Sequence, residues 1–370
     1  MNDLEWFVES LRAWFAENGR DLPWRHAPTP YEVWVSELML QQTQVITVIP
    51  YYEHWLKRFP DIAALANAPI DEVLTYWAGL GYYRRARYLH EGAKKILTDF
   101  DGQFPQSIQE LRSIPGIGAY TAGAIASFAF HQNVPAVDGN AHRVLARFFG
   151  IAGDLTSGEP AHLLDSTANQ VAAIGYASVV NQAVMDIGAS CCSKAPQCNV
   201  CPLAERCYAM RNGLTDAIPF KKKRVEKYDE FRAALRLTCD DNVLIARRRS
   251  DILLGGLWEF PMITISRGKG AAHRRDADLQ MRLPRTSLWQ SFLASVFPTC
   301  PLSDLQTLQN TVSHTFTHIE MKVALDCAQC AQMPEITGVS GDYDAFQWVR
   351  EISSQFAISS LMKKLMALKD

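Results

Sequence analysis

The chain has 370 residues, of which 48% are hydrophobic and 21% charged, with a net charge of −2 and nine cysteines. That length favours two domains, and no apolar run approaches the ~20 residues that span a bilayer, so a membrane role is excluded. Near-neutral charge supplies no bulk electrostatic case for nucleic acid, and any such case has to rest on local features.

The first residues, Met1 to Trp14, mix Asp3, Glu5 and Glu9 among apolar positions and lack the basic-then-apolar order of a secretory signal, so a cytoplasmic or nuclear location is expected, cytoplasmic and nucleoid-associated in a bacterium. Up to about Leu214 the apolar residues recur at helical spacing, which predicts an almost wholly helical region. Thr29-Pro30-Tyr31-Glu32 reads as a helix start, with Thr29 as cap, Pro30 at the first helical position and Glu32 closing a capping box. Pro50 is expected to limit that helix, which places Glu37 in its middle. In Val35-Ser36-Glu37-Leu38-Met39-Leu40-Gln41-Gln42-Thr43 one carboxylate stands in an apolar helix; a solvated face is the plain alternative to a buried acid.

Farther on, Gly79-Leu80-Gly81-Tyr82-Tyr83 precedes Arg84, Arg85 and Arg87, whose charge predicts a phosphate-facing edge. Ser107-Ile108-Gln109-Glu110 repeats the capping pattern and predicts a short helix to Arg112, broken by Pro115. The glycines of Ile114-Pro115-Gly116-Ile117-Gly118 free backbone N–H groups in a turn before an Ala-rich helix, a phosphate site that needs no net positive charge. An ordinary tight turn is the alternative there, and Asp138 in Val137-Asp138-Gly139-Asn140 has a plain reading as an N-cap.

Five cysteines crowd between Cys191 and Cys207, which points to a metal site in a reducing compartment and away from a disulfide framework. Cys191, Cys198, Cys201 and Cys207 follow an x6, x2, x5 spacing that suits a [4Fe–4S] cluster or tetrahedral zinc, with Cys192 competing for the first position. Lys221-Lys222-Lys223-Arg224 reads as a linker over 221–229. Beyond it, Phe231 to Cys239 and Val243 to Arg248 are predicted as a hairpin turning at Asp240-Asp241-Asn242. Arg267 to Asp278 is polar enough to be a flexible loop. Cys239, Cys300, Cys327 and Cys330 form no recognisable ligand set.

The cysteine spacing resembles the cluster loop of the endonuclease III and adenine DNA glycosylase superfamily, which implies one [4Fe–4S] cluster. Counting four residues from Gly188, as that family does, selects Cys192, whereas the x6 rule selects Cys191. Loops absorb length changes more easily than helices, so Cys192 is preferred. The hairpin followed by Asp138 resembles the helix-hairpin-helix-Gly/Pro-Asp glycosylases, whose aspartate works at the sugar of a nucleotide flipped out of duplex DNA. The Glu37 segment resembles the adenine glycosylase helix, which implies a general acid that protonates adenine N7. By the same resemblance Asp138 stabilises the oxocarbenium-like sugar and Asn140 orients it.

Tyr120 stands where endonuclease III-type lyases carry a lysine, so base excision without strand cleavage is expected. Leu22-Pro23-Trp24-Arg25 and Asn181-Gln182-Ala183 also resemble the family and imply that Arg25 and Gln182 line the adenine pocket. Gln42, Thr43, Leu80 and Tyr82 resemble the wedge that fills the gap left by the flipped base, and Gly116 and Gly118 the backbone anchor.

In the second region Leu254-Gly255-Gly256-Leu257-Trp258-Glu259-Phe260-Pro261 resembles the Nudix-like domain of adenine glycosylases. No Glu-Glu pair follows it, so binding without hydrolysis is implied. His314-Thr315-Phe316-Thr317-His318 resembles the loop that reads 8-oxoguanine, with Thr317 in place of the usual serine.

The expected architecture is multidomain: an all-α glycosylase domain over 1–220, with six-helix and cluster subdomains and a cluster loop at 191–207, then an α+β Nudix-like domain over 230–370. The expected function is that of a monomeric enzyme excising adenine opposite 8-oxoguanine or guanine in duplex DNA. The alternatives are an endonuclease III-like glycosylase and lyase, and a non-catalytic iron–sulfur DNA-binding protein.

Overall fold

The computed structural model describes residues 2–220, 226–297, 299, 302–352 and 355–368. Lys221 to Arg224 and Cys300 lie outside the described residues. The chain divides into two compact units, one made of 1–67 and 88–223, the other of 68–87 and 224–370.

The first unit is helical. Its Pro30–Leu40 helix begins as a capping box, with Glu32 N donating to Thr29 Oγ1 at 3.2 Å and Thr29 N to Glu32 Oε2 at 2.7 Å. The helix ends at Leu40 and Pro50 does not limit it; instead Gln42 turns the chain at φ +58° and Pro50 sits inside the next helix, Val45–Arg58. Ser107 caps the Ile108–Ser113 helix through Glu110 N. Gly116, at φ +80°, then turns the chain into the Ala119–Phe128 helix, where a Cβ on Gly116 would stand 2.6 Å from that of Tyr88. One apolar core gathers Phe7, Val8 and Leu11 of the Asp3–Asn18 helix. It adds Val144 and Phe148 of the Gly139–Phe149 helix and Val180, Val184 and Ile187 of the Ala177–Ala189 helix. Cys191 belongs to this core and Cys192, Cys201 and Cys207 pack against it.

The second unit is built on a mixed seven-stranded sheet: β1 (Tyr228–Cys239), β2 (Asn242–Arg248), β3 (Trp258–Glu259), β4 (Met262–Gly268), β5 (Ser303–Thr315), β6 (Ile319–Gln329) and β7 (Tyr343–Val349). The predicted hairpin forms, with Thr238 opposite Val243, Cys239 opposite Asn242, and Asp240 at φ +49° in the turn. β1 pairs in parallel with β6 and antiparallel with β4, so its alternate faces feed two apolar clusters, Ala233, Leu235 and Leu237 on one and Ala234 on the other.

Arg267 to Asp278 is not a loop. It closes β4 and begins the Ala271–Gln280 helix, whose Ala277 is buried, while Arg274 pairs with Asp229 at 2.8 Å and Asp278 with Lys322 at 2.7 Å. Burial of Ala277 in an apolar cluster with Phe231, Met281 and Ala324 holds a segment that polarity alone marks as unstructured, and the two surface ion pairs add little to it. No helix among the described residues is long and apolar enough to cross a membrane.

Candidate active site

Glu37 comes from a helix in which every residue from Val33 to Met39 is buried, and it is itself only 6% exposed. Burial raises its pKa to about 7; a hydrogen bond from Tyr120 pulls the value down, nearby Asp138 pushes it up and Arg25 pulls it down. The Tyr120 hydroxyl donates to Glu37 Oε2 and reaches Met185 Sδ at 3.8 Å. Burial and the two neighbouring carboxylates hold the phenol well above its ordinary pKa, so Tyr120 stays neutral.

Asp138 is the N-cap of the Gly139–Phe149 helix, and its Oδ1 accepts from Ala141 N at 2.7 Å. The cap leaves Oδ2 to accept from Asn140 Nδ2 at 3.0 Å. Asn140 Oδ1 in turn accepts from Arg143 Nη2 at 2.8 Å, and the same nitrogen donates to Gly188 O at 2.6 Å. The Ala177–Ala189 helix can approach this point because residue 188 lacks a side chain: a Cβ there would lie 2.6 Å from Asn140 Cβ.

These groups open on one cavity of about 810 Å³, lined among others by Trp24, Arg25, Glu37, Tyr120, Asp138, Asn140 and Gln182. Gln42 and Thr43 also line it. Along the Ala177–Ala189 helix, Ser178, Gln182, Met185 and Ala189 form the wall, three or four residues apart on one face. Gln182 Nε2 donates to Ser178 O at 3.1 Å.

Arg25 Nη1 and Nη2 each bond Asp186 at 2.8 Å, and Arg20 shares that carboxylate. Both arginines hold Asp186 below the ordinary carboxylate range against the opposing effect of burial. Sequence reasoning missed Asp186, although an aspartate in an otherwise apolar helical stretch, Ala183 to Ala189, was a usable signal.

Leu80, Tyr82, Phe316, Thr317 and His318 all belong to the second unit and none lines this cavity. Thr317 and His318 form the exposed two-residue tip between β5 and β6, where Phe316 N donates to Ile319 O at 2.8 Å and the half-buried Phe316 packs on the core. The Tyr82 and Thr317 hydroxyls are 3.0 Å apart, and Tyr82 is exposed whereas Leu80 and Tyr83 are buried. The predicted phosphate-facing edge is corrected in part. Arg85 is buried and Arg87 Nη2 donates to Gly255 O at 3.1 Å, because carbonyls of the same unit claim both cations.

In the cysteine loop Cys192 Sγ accepts from Arg147 Nη1 at 3.4 Å, and Cys207 Sγ faces Arg147 O at 3.5 Å. Arg147 is a buried cation that also donates to Ser193 O and Ile218 O, so positive charge stands ready for anionic sulfur. Cys191 is buried, with its thiol toward Ile187 O at 3.8 Å and toward Cys201. Cys192, Cys198, Cys201 and Cys207 are half-buried. A donor set of sulfur alone fits an iron–sulfur cluster; among the described residues no three donors converge on a single ion.

Residues 35–168 match the model of the HhH-GPD superfamily of base excision DNA repair proteins, and residues 232–368 that of the NUDIX domain. The chain is 34% identical to the adenine DNA glycosylase of Rattus norvegicus over 98% of its own length and 78% of that protein. It is 33% identical to that of Homo sapiens over 97% and 73%. The adenine DNA glycosylase of Buchnera aphidicola subsp. Baizongia pistaciae is 39% identical over 68% of this chain and 71% of its own. Among solved structures, a thermostable thymine-DNA glycosylase aligns with a TM-score of 0.53 and 26% identity, over 57% of this chain and 97% of its own. A trapped endonuclease III–DNA covalent intermediate aligns at 0.50 with 19% identity over 58% of this chain and 99% of its own, a likeness of fold.

Proposed function

Starting from a chain that belongs to the adenine DNA glycosylase family, DNA N-glycosylases of base excision repair, we propose that it removes adenine paired with 8-oxoguanine or guanine and leaves the strand intact. The observation that carries this reading is the pairing of Glu37 and Asp138 on one cavity, with burial holding the Glu37 pKa at about 7. An acid with that pKa keeps much of its proton at neutral pH and delivers it to N7 of an extruded adenine. The base then leaves neutral. The glycosidic electron pair goes with it, and the positive charge left on the deoxyribose is met by Asp138, whose Oδ2 is aimed by Asn140. Water then adds to the sugar carbon, and the proton it sheds is taken up by the Glu37 carboxylate left after the first step, which yields the abasic site and restores the acid.

Tyr120 supports the monofunctional reading, since its neutral phenol is bonded to Glu37 and offers no amine for a Schiff base. Gly116 and Gly118 grip the backbone in this scheme, Arg25 and Gln182 frame the adenine, and Gln42, Thr43 and Tyr82 fill the vacated stack; the expected place of Leu80 in the wedge is not kept, because its side chain is buried. The Thr317 tip with Phe316 and His318 reads 8-oxoguanine. The catalytic domain is assigned to 1–220 and the reading domain to 230–370. Cys192, Cys198, Cys201 and Cys207 would hold the [4Fe–4S] cluster, with Arg147 favouring Cys192 over Cys191. When bound, the cluster would fasten the loop by four iron–thiolate bonds.

The test incubates the protein with duplexes holding adenine opposite 8-oxoguanine, guanine or thymine. Strand breakage only after alkali, fastest opposite 8-oxoguanine, is expected. Breakage without alkali sinks the monofunctional reading, and equal rates opposite all three bases sink the mispair reading.

A further inference from the structure

Between the Ile70–Tyr76 helix and the Arg84–Asp99 helix the chain passes through three left-handed residues, Gly79 at φ +110°, Gly81 at +72° and Tyr82 at +49°. Glycine adopts such angles freely, but an aromatic residue there is strained and persists only where its surroundings over-determine it. The ring of Tyr82 is 46% exposed while its neighbours Leu80 and Tyr83 are buried. Something must hold this one side chain out.

Arg85, 5% exposed, stands beneath the loop. Its Nη2 donates to Leu80 O at 3.2 Å and Gly81 O at 3.0 Å, and its backbone N to Tyr82 O at 2.9 Å. The guanidinium carbon lies 5.4 Å from the Tyr82 ring centroid and 5.1 Å from that of the fully buried Trp77, whose Nε1 also donates to Gly81 O at 3.0 Å. A planar guanidinium can donate in its plane and meet aromatic faces above and below it at the same time; an ammonium cannot. At its other end Tyr82 is tied to Thr317.

We propose that Arg85 is a positioning residue for Tyr82, holding the ring in its outward, left-handed conformation before DNA arrives so that extrusion of the adenine nucleotide depends on it. This rests on the reading of Tyr82 as the wedge. A wedge offsets unstacking only if it resists being pushed back into its own loop, and a ring free to rotate loses that resistance.

The experiment uses the full chain with a duplex carrying 2-aminopurine opposite 8-oxoguanine, whose fluorescence rises on unstacking, and Tyr82→Ala, Arg85→Met and the double variant. Arg85→Met is expected to lower the extruded fraction roughly tenfold, the scale of a lost charge-assisted hydrogen bond. The double variant should fall no further than Tyr82→Ala alone. For Arg85→Met alone, excision of adenine from an unpaired loop, where no stack has to be opened, and its pH profile should be unchanged. The proposal is overturned if Arg85→Met leaves extrusion intact or if its loss adds in full to that of Tyr82→Ala. If Tyr82→Ala itself leaves extrusion intact, the wedge reading falls and this inference falls with it. Should Arg85→Met fail to fold, Arg85→Lys carries the same test, with a smaller, non-additive loss expected and a fully additive one overturning the proposal.

Discussion

The hydroxyl of Tyr120, on the helix that follows the hairpin, is hydrogen-bonded to Oε2 of Glu37, 83 residues earlier in the chain. That bond lowers the Glu37 pKa against the larger effect of burial. Tyr120→Phe therefore raises it. Single-turnover excision should lose rate with rising pH around a midpoint near 7 in the native protein and around a midpoint up to about one unit higher in the variant. A midpoint that moves down would show that Tyr120 is not what restrains this acid.

Glu37→Gln removes the proton donor and should reduce excision by about 10² to 10⁴-fold with DNA binding kept. It should also change stability in a pH-dependent way. Because the folded-state pKa of about 7 lies above the ordinary 4.5, the fold binds the extra proton and loses stability as pH rises between those values, by about 3 kcal/mol once above 7. The amide carries no such cost. Thermal unfolding at pH 5 and pH 8 should thus show a larger drop for the native protein than for Glu37→Gln; equal drops would mean that Glu37 is not buried as an acid.

Asn140→Ala leaves the Asp138 cap to Ala141 N but removes the donor to Oδ2. The proposed sugar-facing oxygen loses its alignment, and the excision rate should fall about 10- to 100-fold with little change in Tm. A variant with native rate and altered Tm would assign Asn140 to packing alone.

Asp186 is buried between Arg25 and Arg20, and its depressed pKa makes its contribution full above the ordinary carboxylate range and lost as pH falls below it. Asp186→Asn leaves Arg25 without its counter-charge and should destabilise by about 3 kcal/mol at neutral pH. Urea unfolding at pH 7 measures this, and a change under about 0.5 kcal/mol would refute the pairing as a stabilising one.

Replacing Cys192 by Ser should abolish the visible absorbance expected of a [4Fe–4S] protein, whereas Cys191→Ser should keep it, because of these two thiols it is Cys192 that accepts from the Arg147 guanidinium, while Cys191 turns toward Ile187 O. The reverse outcome would exchange the two ligands.

What was legible in the sequence was whatever closes within a few residues. The Thr29–Glu32 box, the Ser107 cap, the Asp138 cap and the Asp240–Asp241 turn each depend on contacts no more than three positions apart, so residue types in order suffice to place them. The family motifs are of the same kind, short strings whose chemistry travels with them.

Tertiary structure decided the rest. It buried Glu37 and so chose between an acid and a solvated face; it turned Arg85 and Arg87 onto carbonyls and away from the expected phosphate edge; it made a helix of 271–280. Arg25 meets Asp186 across 161 residues and Tyr82 meets Thr317 across 235. Such pairings have no local signal, because desolvation and ion pairing depend on which distant segment arrives beside a residue, and the residue's own neighbours in the chain do not carry that information.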